Sequence, residues 1–195
     1  MSRVVVINHL TLDGVMQAPG RPDEDTRGGF EHGGWAAPNV DDVVNAAMGA
    51  RMPRSGGLLL GRRSYEDMLG YWNTQDSPFK DMLNSAPKYV ASRTLREPLP
   101  WPNSTLLNAD VADAVAQLKG QSEKDINVMG SGELIQTLMR HDLIDEYLLL
   151  IHPLVLGAGR RLFADGGPPA SLRLVDSTVS TTGVLIATYE PKQLA

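Results

Sequence analysis

The sequence predicts an α/β fold in which a mostly parallel central sheet ends in antiparallel strands and helices cover both faces. Two observations lead to this prediction. Through residue 140, short apolar runs alternate with segments of helical periodicity, which is typical of parallel strands joined by helices. Beyond that residue the pattern is β only, which predicts an antiparallel edge. The chain has 195 residues and no visible repeat or linker, so we expect one domain over residues 1–195.

Local patterns place the elements along the chain. Val4–Ile7 is a continuous β-branched run, typical of a strand buried on both faces. From Val40 the apolar residues recur at helical spacing, and the stripe centres close to Val40. The other predicted strands are 58–60, 88–92, 104–107, 126–129 and 146–155, followed by a hairpin over 172–189 that turns at 180–183. Three other helices are predicted. The first covers 62–70, the second is capped by Asp110 and ends at Gly120, and the third includes 134–139.

Composition excludes several classes of protein. The chain has no cysteine, which rules out disulfide frameworks, thiol nucleophiles and cysteine-ligated zinc. The four histidines lack the close spacing of metal ligands, so we expect them to be structural and predict no metal. Eighteen basic against 23 acidic residues disfavour a nucleic-acid partner. No apolar run approaches the length that spans a bilayer, so we expect a soluble, cytoplasmic protein with no membrane partner.

Residues 14–38 form a long segment rich in glycine, proline and charge, without periodicity. Loops of this length inside a compact domain are uncommon, and many of them are lids or binding loops. Trp35 lies in this segment just before the first predicted helix, so it is our candidate substrate-binding residue. Nothing in the loop identifies which small molecule it selects.

Three strand ends carry small or glycine-rich turns, two of them with arginine, where helix N-termini can bind phosphate. The candidate cofactor-binding residues in these turns are Gly61, Arg62, Arg63, Ser64, Ser92, Arg93, Gly130, Ser131, Gly132 and Glu133. The alternative is that the glycines only make tight turns and the arginines are solvated. Three such turns in one chain favour a phosphorylated ligand, although neither a Walker A motif nor a complete GxGxxG is present.

The motifs also resemble a known superfamily. Leu12–Met16, Leu60–Glu66, Ser92–Thr94 and Val128–Gly132 occur in the order found in dihydrofolate-reductase-like proteins. His152–Phe163 resembles the signature of the reductase domain of the riboflavin-pathway bifunctional deaminase-reductase, and Gly33–Ala36 is similar to its free-standing bacterial members. The resemblance covers about residues 3–190. The chain departs from the bifunctional protein in lacking an H-x-E…P-C-x-x-C deaminase motif.

The resemblance implies a dihydrofolate-reductase-like fold and an NADPH-dependent reductase. Its substrate would be pterin-like or a ribosylated aminopyrimidine, as for a 5-amino-6-(5-phosphoribosylamino)uracil reductase. By the same resemblance, the turns at Gly61 and Gly130 hold the pyrophosphate, while Ser92 and Arg93 hold the adenosine 2′-phosphate. Two alternatives stay open: a dihydrofolate reductase proper, and a protein that binds NADP without catalysis.

Two carboxylates are candidate catalytic residues. Dihydrofolate reductases carry a substrate-binding carboxylate on their first helix, and a helical wheel places Asp41 on the flank of the apolar stripe and Asp42 nearly opposite it. Asp13 follows the first predicted strand and is the other candidate. Both have plain alternatives, because Asp41 can favour the helix dipole and Asp13 can belong to an Asp-Gly turn.

We also expect a homodimer, which the resemblance implies as well. The apolar strand around 148–151 and the closing hairpin can leave an edge or face that a second subunit covers. This predicts an interface at or near the C-terminal third. The alternative is that this strand is central and fully buried within one subunit.

Overall fold

The computed structural model describes residues 2–107, 110–121 and 123–193. Within that part the chain forms eight strands and five α-helices. In chain order they are β1 (Val4–Thr11), α1 (Asp42–Gly49), β2 (Ser55–Gly61), α2 (Arg62–Trp72), α3 (Pro78–Ser85), β3 (Lys88–Ala91), β4 (Ser104–Leu107), α4 (Val111–Gln121), β5 (Asp125–Val128), α5 (Gly132–Arg140), β6 (Glu146–His152), β7 (Ser171–Val179) and β8 (Leu185–Lys192). Among the described residues, no helix is both long and apolar enough to cross a bilayer.

The strands form one mixed sheet in the order β4-β3-β2-β5-β1-β6-β8-β7. β2 pairs in parallel with β3 and β5, and β3 pairs in parallel with β4. β8 pairs antiparallel with both β6 and β7. The predicted fold class, a mostly parallel sheet that ends in antiparallel strands, is therefore confirmed.

The chain divides into two compact units. The first unit combines the residues up to Val5 with Arg54–Ile144, and the second combines Val6–Pro53 with the residues from Asp145 onward. The first unit buries leucine, tyrosine and valine side chains from β2, α2, α3 and β3: Leu58, Leu60, Tyr65, Leu69, Leu83 and Val90. The second unit has a cluster formed by the long loop: Val15, Ala18, Phe30, Trp35 and Ala36. A single domain over residues 1–195 stays a prediction.

The start of α1 differs from the expectation. The helix begins at Asp42, and Asp41 is its N-cap, with an extended backbone and a side chain that accepts a hydrogen bond from the N–H of Val44. Val40 lies outside the helix and is 38% exposed, whereas Val44 is buried. The helical wheel centred near Val40 was therefore wrong, because Val40 and the N-cap residue Asp41 both have extended backbone angles and precede the helix.

Two further boundaries depart from the predicted elements. Helix α3 was missed, although Ser77 caps it and Pro78 occupies its first turn, which is a recognised start signal. The strand predicted to reach residue 155 ends at His152. The next residue is Pro153, which has no N–H to donate to a neighbouring strand.

Candidate functional site

In the first unit, the turn after β2 lies against the turn after β5. The Gly61 N–H donates to the Gly130 carbonyl oxygen at 3.2 Å. A Cβ on Gly61 would collide with the Ser131 side chain, and a Cβ on Gly130 would lie 2.6 Å from Ser64 Oγ. Gly130 also has a φ of +108°, where L side chains are strained. Gly130 therefore requires glycine, and glycine at position 61 lets the two turns touch without displacing Ser131.

Each of these turns leads directly into a helix N-terminus. Gly61 is the N-cap of α2 and has no side chain, and Ser131 is the N-cap of α5, where its side chain makes no capping hydrogen bond to the described residues. The first N–H groups of an α-helix have no partner within the helix, and the helix dipole favours an anion there. Two uncapped N-termini at the ends of adjacent parallel strands match the two phosphates of a pyrophosphate.

The charged residues around these turns differ in what they offer. Arg63 is exposed, while Arg62 is partly buried and lies 4.0 Å from Glu66. Both guanidinium groups can pair with phosphate oxygens. Glu133 places a carboxylate in the first turn of α5, so we expect its backbone N–H rather than its side chain to face a phosphate.

The third turn follows β3 and is ordered by Ser92. The buried hydroxyl of Ser92 accepts hydrogen bonds from the N–H groups of Thr94 at 3.1 Å and Leu95 at 3.0 Å. Arg93 is exposed beside it. Ser92 thus fixes the loop, and Arg93 presents the guanidinium. The three turns supply glycines that leave room for a ligand, the N-termini of two helices, and arginine side chains. This donor set fits a phosphate-rich dinucleotide such as NADPH.

In the second unit, Asp13 joins the loop after β1 to the segment after β6. Its carboxylate accepts hydrogen bonds from Thr11 Oγ1 at 2.6 Å, the Leu156 N–H at 3.2 Å and the Gly157 N–H at 2.8 Å. Arg161 adds an ion pair at 3.6 Å. The Thr11 hydroxyl is the main cause that lowers the pKa of Asp13 to about 2. The geometry gives this carboxylate a structural role, and its catalytic role stays a prediction.

Asp41 makes a second such connection within the same unit. One carboxylate oxygen caps α1 at Val44, and the other accepts from the Thr181 N–H at 2.8 Å and from Thr181 Oγ1 at 2.6 Å. The Thr181 hydroxyl is the main cause that lowers the pKa of Asp41 to about 2. The side chain is therefore ionised at neutral pH and held between α1 and the β7–β8 turn. Its catalytic role also stays a prediction.

The long loop is organised around a buried glutamine and Trp35. The Trp35 indole N–H donates to the Gln17 carbonyl oxygen at 2.7 Å, and Trp35 is only 8% exposed. The Gln17 side chain donates to the backbone carbonyls of Asp25 and Arg27, and it accepts from the Arg160 N–H. A cavity of about 380 Å³ opens beside it, lined by residues 27–32 and 158–160. Substrate binding by Trp35 stays a prediction.

Two histidines meet next to Trp35. His9 Nδ1 and His152 Nε2 are 2.8 Å apart, and the His152 ring meets the Trp35 ring edge-on with centroids 5.3 Å apart. His152 is fully buried, and its Nδ1 has no hydrogen-bond partner among the described residues. Burial lowers the pKa of both rings, that of His9 to about 4 with help from the adjacent His152. Both imidazoles are therefore neutral at pH 7.

Comparison with known proteins agrees with this arrangement of elements. The family model described as the RibD C-terminal domain matches residues 3–186. The chain belongs to the RibD C-terminal domain family. The chain is 33% identical over 138 residues to the uncharacterized protein YyaP of Bacillus subtilis (strain 168). This match covers 68% of this chain and 72% of YyaP.

Solved structures share the fold of this family member. A putative riboflavin biosynthesis protein from Shewanella sp. PV-4 superposes with a TM-score of 0.77 and 26% identity over 99% of this chain and 100% of that one. A second match is the Thermotoga maritima diaminohydroxyphosphoribosylaminopyrimidine deaminase/5-amino-6-(5-phosphoribosylamino)uracil reductase. Its TM-score is 0.64 at 14% sequence identity, and the match covers 98% of this chain and 57% of that one. Enterococcus faecalis dihydrofolate reductase complexed with NADP(H) superposes with a TM-score of 0.62 at 14% sequence identity. This match covers 98% of this chain and 97% of that one. The last two matches show the shared fold, and the resemblance to the riboflavin-pathway reductase family is confirmed.

The structure brings six of the predicted cofactor-binding residues together around the touching turns, and their role in binding stays a prediction: Gly61, Arg62, Ser64, Gly130, Ser131 and Gly132. The histidine pair was missed, because its members are separated by 143 positions and have no local motif. The available signal was that each histidine lies at or near the end of an apolar strand, His152 directly before a proline.

Proposed function

We propose that this RibD C-terminal domain family member is an oxidoreductase that uses NADPH to reduce a pterin-like or ribosylated aminopyrimidine-like small molecule. The observation that carries the proposal is the pair of touching turns at Gly61 and Gly130, each opening an uncapped helix. Such a pair offers backbone N–H donors to a pyrophosphate, and the nearby arginines offer guanidinium groups.

The comparisons support this chemistry. The Thermotoga maritima neighbour is a deaminase/5-amino-6-(5-phosphoribosylamino)uracil reductase, the Shewanella neighbour is a putative riboflavin biosynthesis protein, and the Enterococcus neighbour is complexed with NADP(H). We assign the pyrophosphate to the N-termini of α2 and α5, and the 2′-phosphate to Arg93 on the loop that Ser92 orders. When bound, NADPH supplies a hydride to an electron-poor carbon of the substrate.

The chain's own residues bind and orient the reactants. Gly61 and Gly130 keep the turns free of Cβ atoms, so that backbone amides are the donors. Arg63 and Arg93 add positive charge at exposed positions. The cytoplasmic location stays a prediction, and we propose a small molecule, rather than a nucleic acid or a membrane, as the partner.

The experiment is NADPH oxidation, followed by the loss of its absorbance, with 5-amino-6-(5-phosphoribosylamino)uracil and dihydrofolate as separate substrates. Faster turnover of the pyrimidine supports the riboflavin-type reductase. Turnover of dihydrofolate alone favours the dihydrofolate reductase alternative. A stable NADPH complex that reduces neither compound favours a non-catalytic NADP-binding protein. Absence of NADPH binding contradicts the proposal outright.

We also propose that the protein is a homodimer. Strand β7 lies at the edge of the sheet, and its residues from Arg173 to Val179 are exposed. On this edge strand Leu174 is 51% exposed, Val175 is 46% exposed and Val179 is 64% exposed. Proteins rarely leave several apolar residues exposed on an edge strand, because such an edge can pair with another chain. A second copy of this strand would cover the edge. Light scattering should give about twice the chain mass of 21.1 kDa, and the monomer mass would contradict the proposal.

A further inference from the structure

The histidine pair of the second unit has no place in the cofactor chemistry of the turns. We propose that His9 binds substrate by donating its Nε2–H to a hydrogen-bond acceptor, and that His152 fixes the tautomer that makes this donation possible. This inference rests on the proposed reductase function and names the chemical feature of the substrate that the second unit recognises.

The tautomer follows from the hydrogen bond between the rings. His9 Nδ1 and His152 Nε2 are 2.8 Å apart, so one of these nitrogens carries a proton and donates the hydrogen bond, and the other accepts that bond with its lone pair. If His9 were the donor, neutral His152 would carry its own proton on Nδ1. That Nδ1 is buried and has no partner among the described residues, so its N–H would be an orphaned donor. Orphaned buried N–H groups are rarer in proteins than acceptors with an unused lone pair.

The opposite arrangement avoids the orphaned donor. His152 then donates its Nε2–H to His9 Nδ1, and only a lone pair remains at the buried His152 Nδ1. Neutral His9 must carry its proton on Nε2. His9 is partly exposed, and the Nδ1 edge of its ring is occupied by His152. The accessible edge is therefore the one with Nε2–H, which acts as a neutral donor.

The surroundings keep this donor oriented and uncharged. His152 is fully buried and its ring meets that of Trp35 at an interplanar angle of 90°, so the ring cannot turn freely. Burial and the neighbouring ring lower the pKa of His9 to about 4. A neutral N–H donor suits a carbonyl oxygen or an unprotonated ring nitrogen, both of which pyrimidinones and pterins carry. It does not suit a carboxylate or phosphate as well as an arginine would.

Nitrogen-15 NMR of histidine-labelled protein tests the tautomer without any catalytic assay. At pH 7 we expect both rings to be neutral and protonated at Nε2. A His9 ring protonated at Nδ1 would overturn the proposal. The His9 Nε2 signal should also move when 5-amino-6-(5-phosphoribosylamino)uracil or folate is added to the NADP⁺ complex. If neither compound moves it, the proposal is overturned even where NADPH is oxidised.

Four variants separate binding from folding. His9→Gln places an amide N–H near Nε2 and should keep KM within about threefold, whereas His9→Leu should raise KM about 3- to 10-fold with a smaller change in kcat. His152→Gln should preserve the donor to His9 Nδ1. His152→Leu removes that donor, so the His9 proton is no longer held on Nε2 and KM should rise.

The exposed His141 provides the control variant His141→Leu, which should leave KM and kcat unchanged. Equal KM for His9→Gln and His9→Leu would overturn the inference while leaving the reductase function intact. If NADPH is not oxidised but the His9 signal moves, the reductase proposal fails and this site stands.

Discussion

The two units build their candidate sites in different ways. In the first unit the site is built mainly from local backbone, with exposed arginines beside it. It comprises touching glycine turns, helix N-termini and a loop in which Ser92 accepts a hydrogen bond from the N–H of Thr94. In the second unit, side chains join segments that are far apart in sequence. Asp13 reaches Gly157 over 144 positions, Asp41 reaches Thr181 over 140, and His9 reaches His152 over 143.

This difference has a consequence for how each site tolerates change. A backbone site fails when a side chain intrudes or a turn changes shape, and its donors survive most substitutions nearby. A site held by long-range side-chain contacts fails when one partner is removed, because the other is left buried without a partner. We therefore expect variants of the second unit to affect stability first, and variants of the first unit to affect cofactor affinity first.

The largest effect should come from Arg51→Ala in the second unit. Arg51 forms an ion pair with Glu146, which is 4% exposed, and also contacts Thr188 Oγ1 at 3.3 Å. Removing the arginine takes away the ion pair of a buried carboxylate, which should cost up to about 3–5 kcal/mol in the free energy of unfolding. Urea unfolding measures this cost. The Arg21–Asp23 pair, in which the Asp23 side chain is 83% exposed, is the control, and Asp23→Ala should change stability by less than about 1 kcal/mol. Equal costs for the two variants would contradict the contrast.

Arg93→Ala should affect the first unit through ligand affinity. Loss of a charge-assisted contact to the 2′-phosphate should weaken NADPH binding by about 1.5–3 kcal/mol, or roughly 10- to 150-fold, and leave NADH binding nearly unchanged. Titration with each cofactor measures the ratio. Arg140→Ala removes an exposed arginine from the other end of α5 and should change neither affinity. An equal loss of NADH and NADPH affinity would show that Arg93 does not bind the 2′-phosphate.

Gly132→Val tests the α5 N-terminus. Gly132 begins the helix, and its φ is not among the positive values found for other glycines of the chain, so valine fits the backbone there. Apo stability should fall by less than about 1 kcal/mol, while the methyl groups obstruct the N–H donors. The NADPH-induced rise in Tm should shrink by several degrees. A normal NADPH-induced rise would show that this turn has only a structural role.

The histidine pair should also make the stability of the protein depend on pH. The pKa of His9 is about 4 in the folded protein against 6.5 in an unfolded chain, so the unfolded state binds more protons between these values. The contribution of His9 to the free energy of unfolding should be fully present above pH 6.5 and should be lost progressively as the pH drops toward 4. His9→Gln should flatten this slope in Tm measurements. An identical slope in the variant would contradict the assignment.

Asp13 and Asp41 act in a separate, more acidic window. Their pKa values are about 2 against 3.8 unfolded, so the stability they confer is present above pH 3.8 and is lost as the pH falls toward 2. The slope between pH 6.5 and 4 therefore reports on histidine rather than on these carboxylates.

The sequence by itself determined the alternation of strands and helices, the antiparallel end and the three turns. These features follow from local physics: periodicity identifies a buried face, and Gly61 and Gly130 mark places where a strand passes directly into a helix. Asp110 caps α4 as predicted, with its carboxylate 2.9 Å from the Ala112 N–H. Such signals lie within a few residues of the structure they specify, so one sequence is enough to read them.

Tertiary structure alone decided the roles of the second unit's polar residues. Asp41 was predicted to lie on a helix flank, but it caps the helix and binds Thr181, which no helical wheel can indicate. Trp35 directs its polar group to the Gln17 backbone, and His9 meets His152. Each contact depends on how distant segments of the chain are brought together. Its energy comes from burial and pairing that exist only once the chain has folded, so no local pattern in the sequence records it.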